Sequence, residues 1–190
     1  MKYDPEKHYR KSLRLQGYDY TSAGLYFITI CTDQRQCLFG TIVDSEMRLS
    51  DYGQIVSDEW MRSRVMRQEI DLDAWVIMPN HLHGIVIMLP TDKPHVGAHG
   101  RAPLPRVPQR VGIAHREPRS LASFVAGFKS AATKRINIIR KAPGTPVWQR
   151  NYYEHIVRNE SSLQRLRQYI HNNPLSWQED QLHPDVPSKW

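Results

Sequence analysis

AWVIMPNHLHGIVIML, residues 74–89, decides how the chain folds. Its two apolar halves read as β-strand, with a turn or kink at Pro79-Asn80 between them. Alternate side chains of a strand point the same way, so His81 and His83 share one face and Leu82 takes the opposite one. Two imidazoles side by side on a sheet can offer two nitrogens to one metal ion. The competing reading is a pair of hydrogen-bonded structural histidines beside a turn.

Outward from this stretch, LYFITICT (25–32) is apolar and β-branched and predicts another strand. CLFGTIVDSEMRLS (37–50) predicts a strand, a turn at Asp44-Ser45 and a short further strand. Ser50 caps a helix on which Tyr52, Ile55, Val56, Trp60 and Met61 fall at helical spacing, with Asp51 suited to its first turn. Ser120 caps the next helix, with Leu121, Phe124, Val125, Phe128, Ala132, Ile136 and Ile139 as its apolar stripe. WQRNYYEHIV (148–157) is a short aromatic segment. Asn159 then precedes a last helix, ESSLQRLRQYIHNN, stopped by Pro174, with Leu163, Leu166 and Ile170 facing the core. Short strands joined by tight turns and interleaved with helices predict an α+β fold. It has one largely antiparallel sheet with helices packed on one face.

The 190 residues fit one domain, with an N-terminal arm (1–20) and a C-terminal tail (175–190). A loop at 93–119 holds five prolines, three glycines, six Lys/Arg and one acidic residue, a composition that cannot supply a packed core. No apolar run is long enough for a membrane span, and the N-terminus has no apolar signal segment. The only cysteines, Cys31 and Cys37, make neither a disulfide framework nor a cysteine-based zinc site, which predicts a cytoplasmic setting. Twenty-six Lys/Arg against nineteen Asp/Glu give a net charge of +7, a balance that suits a polyanionic partner such as nucleic acid.

Two ligands rarely hold a metal, so a third group is needed. The last helix offers Tyr169 and Asn173, four residues apart on one helix face, with Arg165 one turn before Tyr169. A half-buried core tyrosine and a helix-terminal asparagine before proline are the structural alternatives for these two.

Four stretches in order, VIMPNHLHGIV, FVAGFKSAATKRIN, VWQRNYYEHIVRNE and LRQYIHNNP, resemble the REP-associated tyrosine transposases. These belong to the wider group of single-tyrosine transposases with a His-hydrophobic-His motif. The resemblance runs from about Tyr18 to about Trp177. It implies a ferredoxin-like sheet with helices, a divalent metal (Mg²⁺ or Mn²⁺) on His81 and His83, Tyr169 as nucleophile, and Asn173 helping to hold the metal. It also implies cutting and rejoining of single-stranded DNA at hairpin-forming ends. In that reaction a tyrosine becomes linked to the 5′ phosphate and a 3′-OH is released. Many relatives in the wider group carry glutamine or another residue where Asn173 sits. The loop 93–119 is longer than a minimal member needs, and the resemblance assigns it no role.

For the DNA, Lys129, Lys134 and Arg135 could reach phosphates from the helix after the loop. Trp148, Arg150, Tyr152, Tyr153 and Arg158 interleave aromatics with positive charge, as single-strand binding surfaces do. The alternative places Trp148 and one of the tyrosines in the core. Arg165 could assist the tyrosine. Two other functions compete: a metal-dependent nuclease that uses water, and a non-catalytic regulator that binds hairpin DNA. A monomer is favoured over a homodimer.

Overall fold

The computed structural model describes residues 22–90 and 117–186. The arm 1–20, most of the loop 93–119 and the last four residues lie outside them.

The strands are β1 (Gly24–Cys31), β2 (Gly40–Val43), β3 (Glu46–Leu49), β4 (Ile70–Met78), β5 (His81–Met88) and β6 (Tyr153–Val157). The helices are α1 (Asp51–Met66), α2 (Leu121–Ile139) and α3 (Glu160–Asn172), followed by a 3₁₀ helix at Asn173–Glu179. Four strands form one antiparallel sheet in the order β4-β5-β1-β6. With α1 between β1 and β4 and α2 between β5 and β6, this is the ferredoxin-like βαββαβ arrangement. β2 and β3 form a separate hairpin. Its turn residues Asp44 and Ser45 both have positive φ, as a two-residue hairpin matching strand twist requires.

Each element follows from local chemistry. Ser50, Ser120 and Asn159 cap the three helices by accepting the backbone N–H of Gly53, Ser123 and Ser162. Pro79 and Asn80 make the two-residue connection that brings Met78 opposite His81. That turn is tied down from outside, because Thr32 donates its N–H and its hydroxyl to Asn80 O, and Phe39 N–H donates to Pro79 O.

Strand alternation divides the core in two. Tyr26, Ile28 and Ile30 of β1 and Leu82, Val86 and Met88 of β5 pack against Trp60 of α1 and Phe124 and Phe128 of α2. Phe27 of β1, Ile85 of β5 and Val157 of β6 pack against Leu163 and Ile170 of α3. The helices therefore cover both faces, not one as the sequence predicts. The apolar stripe of α3 is short, and the sequence did not reveal that the odd-numbered residues of β1 needed their own cover. Two predicted stripe residues also face solvent, Met61 near the end of α1 and Ile139 at the end of α2.

Gly84 keeps the two faces compatible. A Cβ there would come within 2.6 Å of the Trp60 ring. The missing side chain lets the indole pack directly against the β5 backbone at Gly84. No helix among the described residues is long and apolar enough to cross a membrane.

Candidate active site

The odd-numbered side chains of β5 point to the α3 side, and His81 and His83 are among them. Both are essentially fully buried, at 0% and 2% exposure. Their rings meet edge to face with centroids 4.4 Å apart. Phe27 stacks on His83 at 5.3 Å and helps close the pocket wall.

Hydrogen bonds fix the ring of His81. Asn80 uses its amide nitrogen to donate to Arg35 O and Leu182 O, at 3.1 and 2.8 Å, so its Oδ1 must face His81. That oxygen accepts from His81 Nδ1–H at 2.8 Å. The proton is therefore on Nδ1, and Nε2 carries a lone pair. This Nε2 is buried and has no hydrogen-bond partner. His83 Nδ1 lies 2.8 Å from Thr29 Oγ1, its neighbour across β1, which leaves Nε2 facing the same space.

Burial holds both imidazoles neutral. The pKa of His83 falls to about 3. That of His81 falls well below the usual range, through burial first and the neighbouring His83 second. Neutral imidazole is the metal-binding form, so neither ring has to lose a proton before binding an ion.

α3 brings Tyr169 over this pair. Its hydroxyl lies 3.2 Å from His83 Nε2, and the rings are 5.1 Å apart. The residue is 46% exposed, so its ring reaches the pocket while one side faces solvent. Burial, and then the charge of Asp180, raise its pKa, against a hydrogen bond from Asn173 that lowers it. Asn173, at the C-terminal end of α3, is 2% exposed, and its Oδ1 is buried without a hydrogen-bond partner.

α3 is held in place by Arg167, which grips Asp73 with two bonds, Nε to Oδ1 at 3.0 Å and Nη2 to Oδ2 at 2.6 Å. Asp73 lies where the β4–β5 register shifts, between Leu72 and Trp75. The bulge turns its carboxylate toward the helix, two residues from the tyrosine.

One member of the site was not anticipated from the sequence. The 3₁₀ helix and the turn after it fold back so that Asp180 approaches the histidines. One ligand atom from each of His81, His83 and Asp180 lies within 4.8 Å of the others. Nothing in WQEDQLHPD (177–185) distinguishes Asp180 from Glu179 or Asp185. With an orphaned nitrogen on His81 and an orphaned oxygen on Asn173, the donor set is compatible with a divalent metal site.

No family model matches the chain. An uncharacterized protein of Haemophilus influenzae is 40% identical over 184 residues, covering 97% of this chain and 98% of that protein. A second protein of the same organism, named "Putative REP-associated tyrosine transposase", is 23% identical over 180 residues, 90% of this chain and 86% of its own. The solved structure of a REP-associated tyrosine transposase bound to a REP hairpin has the same fold. It superposes with a TM-score of 0.55 at 17% identity, covering 94% of this chain and 91% of that one.

Over most of its length the chain is thus similar to a protein named as a REP-associated tyrosine transposase, and it shares the fold of a solved one.

The predicted DNA contacts occupy varied settings. Lys129 Nζ donates to Gln149 O and Asn151 O, both at 2.9 Å, and lies over the Tyr152 ring. Arg135 pairs with Asp58 and Glu59 of α1. Trp148 sits in the core at 8% exposure, its ring tilted against those of Phe39 and Phe128. Arg165 donates to Ser161 Oγ on the outer face of α3. Lys134, Arg150, Arg158 and Tyr153 are exposed. Tyr153 lies in the site's own row, because His83 pairs with Thr29 on β1 and Thr29 with Tyr153 on the edge strand β6.

Proposed function

We propose that this protein is a metal-assisted transferase of single-stranded, hairpin-forming DNA, with Tyr169 as its nucleophile. The observation that carries the reading is the tyrosine hydroxyl 3.2 Å from Nε2 of a neutral, buried histidine, with the orphaned Nε2 of His81 beside it. Similarity to a protein named as a REP-associated tyrosine transposase, and a solved neighbour of the same fold bound to a REP hairpin, support the substrate class.

His81, His83 and Asn173 would hold the ion, Mg²⁺ or Mn²⁺. Imidazole favours Mn²⁺, and the oxygen donors suit either. When bound, the cation supplies positive charge that polarises the scissile phosphate and favours the tyrosine phenolate. The remaining work falls to the chain. Asn80 and Thr29 orient the two imidazoles. Arg167 holds α3, and with it Tyr169, against β4. Tyr169 Oη bonds to phosphorus as the bond from phosphorus to the 3′ oxygen breaks. The phenolic proton passes to solvent, which Tyr169 meets on its exposed side, and the departing 3′ oxygen takes a proton from solvent. One phosphodiester replaces another, so the reverse step can rejoin a strand without an external energy source.

The strand would run across the β6 edge, where Tyr153 offers a stacking face and Arg150 and Arg158 offer charge. Tyrosine and histidines meet within one chain, which favours a monomer acting in cis.

The test is covalent trapping with labelled hairpin DNA and Mn²⁺ on a denaturing gel. The reading expects a metal-dependent labelled protein band. Cleavage with no such band would favour a water-using nuclease, and binding without cleavage a non-catalytic regulator.

A further inference from the structure

The fold-back after α3 places one carboxylate at the histidine pair, and its surroundings hold it there. Asp180 N–H donates to Trp177 O at 3.1 Å, and His183 N–H donates to Asp180 O at 2.9 Å. Leu182 N–H donates to Asp180 Oδ1 at 2.6 Å. The turn is fastened to the metal face by Asn80, whose Nδ2 donates to Leu182 O while its Oδ1 receives the Nδ1–H of His81. Trp177 fills the gap between the rings of His81 and His183, at 6.1 and 4.7 Å. A single amide thus positions both the imidazole and the segment that carries the carboxylate.

We propose that Asp180 is a direct ligand of the divalent cation held by His81 and His83, so that the segment after α3 completes the metal centre. This rests on the metal-assisted reading above. The distances support it. Ligands on opposite sides of an ion with bonds of about 2.1 Å sit about 4.2 Å apart. The three donor atoms already lie within 4.8 Å of one another, so small side-chain movements close the set. Charge supports it as well. Two neutral imidazoles and an amide leave a buried dication uncompensated, and a buried charge is costly unless it is paired. Asp180 is the carboxylate that the His81–His83 group includes. The bond from Leu182 uses one acceptor position of the four or so that a carboxylate offers, leaving room for an ion. Two histidines, Asn173 and Asp180 make four donors, which leaves positions on a six-coordinate ion for phosphate oxygen.

The test is Mn²⁺ binding to the full-length protein without DNA, followed by calorimetry and by the water-proton relaxation of bound Mn²⁺. The variants are Asp180→Asn, His81→Ala and, as a control, Glu179→Gln. Asp180→Asn retains the acceptor for Leu182 N–H. It is expected to weaken Mn²⁺ binding at least about tenfold. It should also raise the relaxivity of each bound ion, because water replaces the lost ligand. Glu179→Gln should do neither. If Asp180→Asn also lowers the melting temperature, relaxivity at saturating Mn²⁺ still separates a lost ligand from a weakened fold. Wild-type affinity and relaxivity in Asp180→Asn, with binding lost in His81→Ala, would overturn the role of Asp180 and leave the metal reading intact. Failure of the wild type to bind Mn²⁺ would overturn both.

Discussion

The hydroxyl of Tyr169 and Nε2 of His83 lie 3.2 Å apart across the pocket between α3 and β5. In the tautomer that donates Nδ1–H to Thr29 Oγ1, the Nε2 lone pair accepts the tyrosine O–H. The same lone pair is the one a metal would use. In the proposed mechanism hydroxyl and cation would therefore compete for a single atom, and metal binding would free the tyrosine for the phosphate.

Removing the hydroxyl should then help the metal. Tyr169→Phe is expected to bind Mn²⁺ more tightly than wild type, by about twofold to tenfold, the worth of one neutral hydrogen bond. Calorimetric titration without DNA measures it. Weaker binding in the variant would mean that the tyrosine is itself a ligand.

Asn80 should matter to the metal without touching it. Asn80→Ala removes the acceptor that fixes the His81 tautomer and the donor that ties down Leu182. A loss of 10- to 100-fold in Mn²⁺ affinity is expected, the usual range for a group that orients a ligand. Unchanged affinity would show that the His81 ring is held by packing alone.

The neutral histidines set a pH dependence. His83 titrates at about 3 in the folded protein and near 6.5 when unfolded, and His81 is shifted the same way. As pH falls below about 6.5 the unfolded chain binds protons that the folded one refuses. Stability is therefore full above that pH and is lost on acidification through the window from about 6.5 down to about 3. Each imidazole contributes at most roughly 1.4 kcal/mol per pH unit. Urea unfolding in EDTA at pH 7.5 and 5 checks this, and replacing both histidines by asparagine should flatten the difference.

Arg167 should act on the reaction through position. Arg167→Ala frees α3 from Asp73. Misplacement of a reacting group by about 1 Å can cost about 100-fold in rate. Covalent-complex formation should fall by up to that factor while hairpin affinity stays near wild type. Arg167→Lys should recover only part, since an ammonium cannot make the two-bond grip. Equal losses in binding and rate would point to general unfolding instead.

Much of this site could be read from the chain because its pieces are local. The shared face of His81 and His83 follows from strand alternation, and the pairing of Tyr169 with Asn173 from helix spacing. The three helix caps stand in the sequence as serine or asparagine before apolar stripes. What could not be read depends on contacts between distant segments. The approach of Asp180 depends on a fold-back with no periodicity. The cover of the second sheet face by α3 depends on β1 being apolar on both sides. Lys129 and Arg135 look like free cations in the sequence, but carbonyls of 149 and 151 and the acids of α1 meet them in space. Trp148 reads equally well as a stacking residue or a core residue, and packing against Phe39 puts it in the core.

The most direct test of the central claim is to map the bond between protein and DNA. The protein would be incubated with a single-stranded hairpin substrate and Mn²⁺, digested with protease and nuclease, and sequenced by mass spectrometry. The account predicts a nucleotide joined through its 5′ phosphate to Tyr169, with a free 3′-OH on the released strand and no adduct in Tyr169→Phe. An adduct on another residue, or a cleaved strand with no adduct, would contradict it.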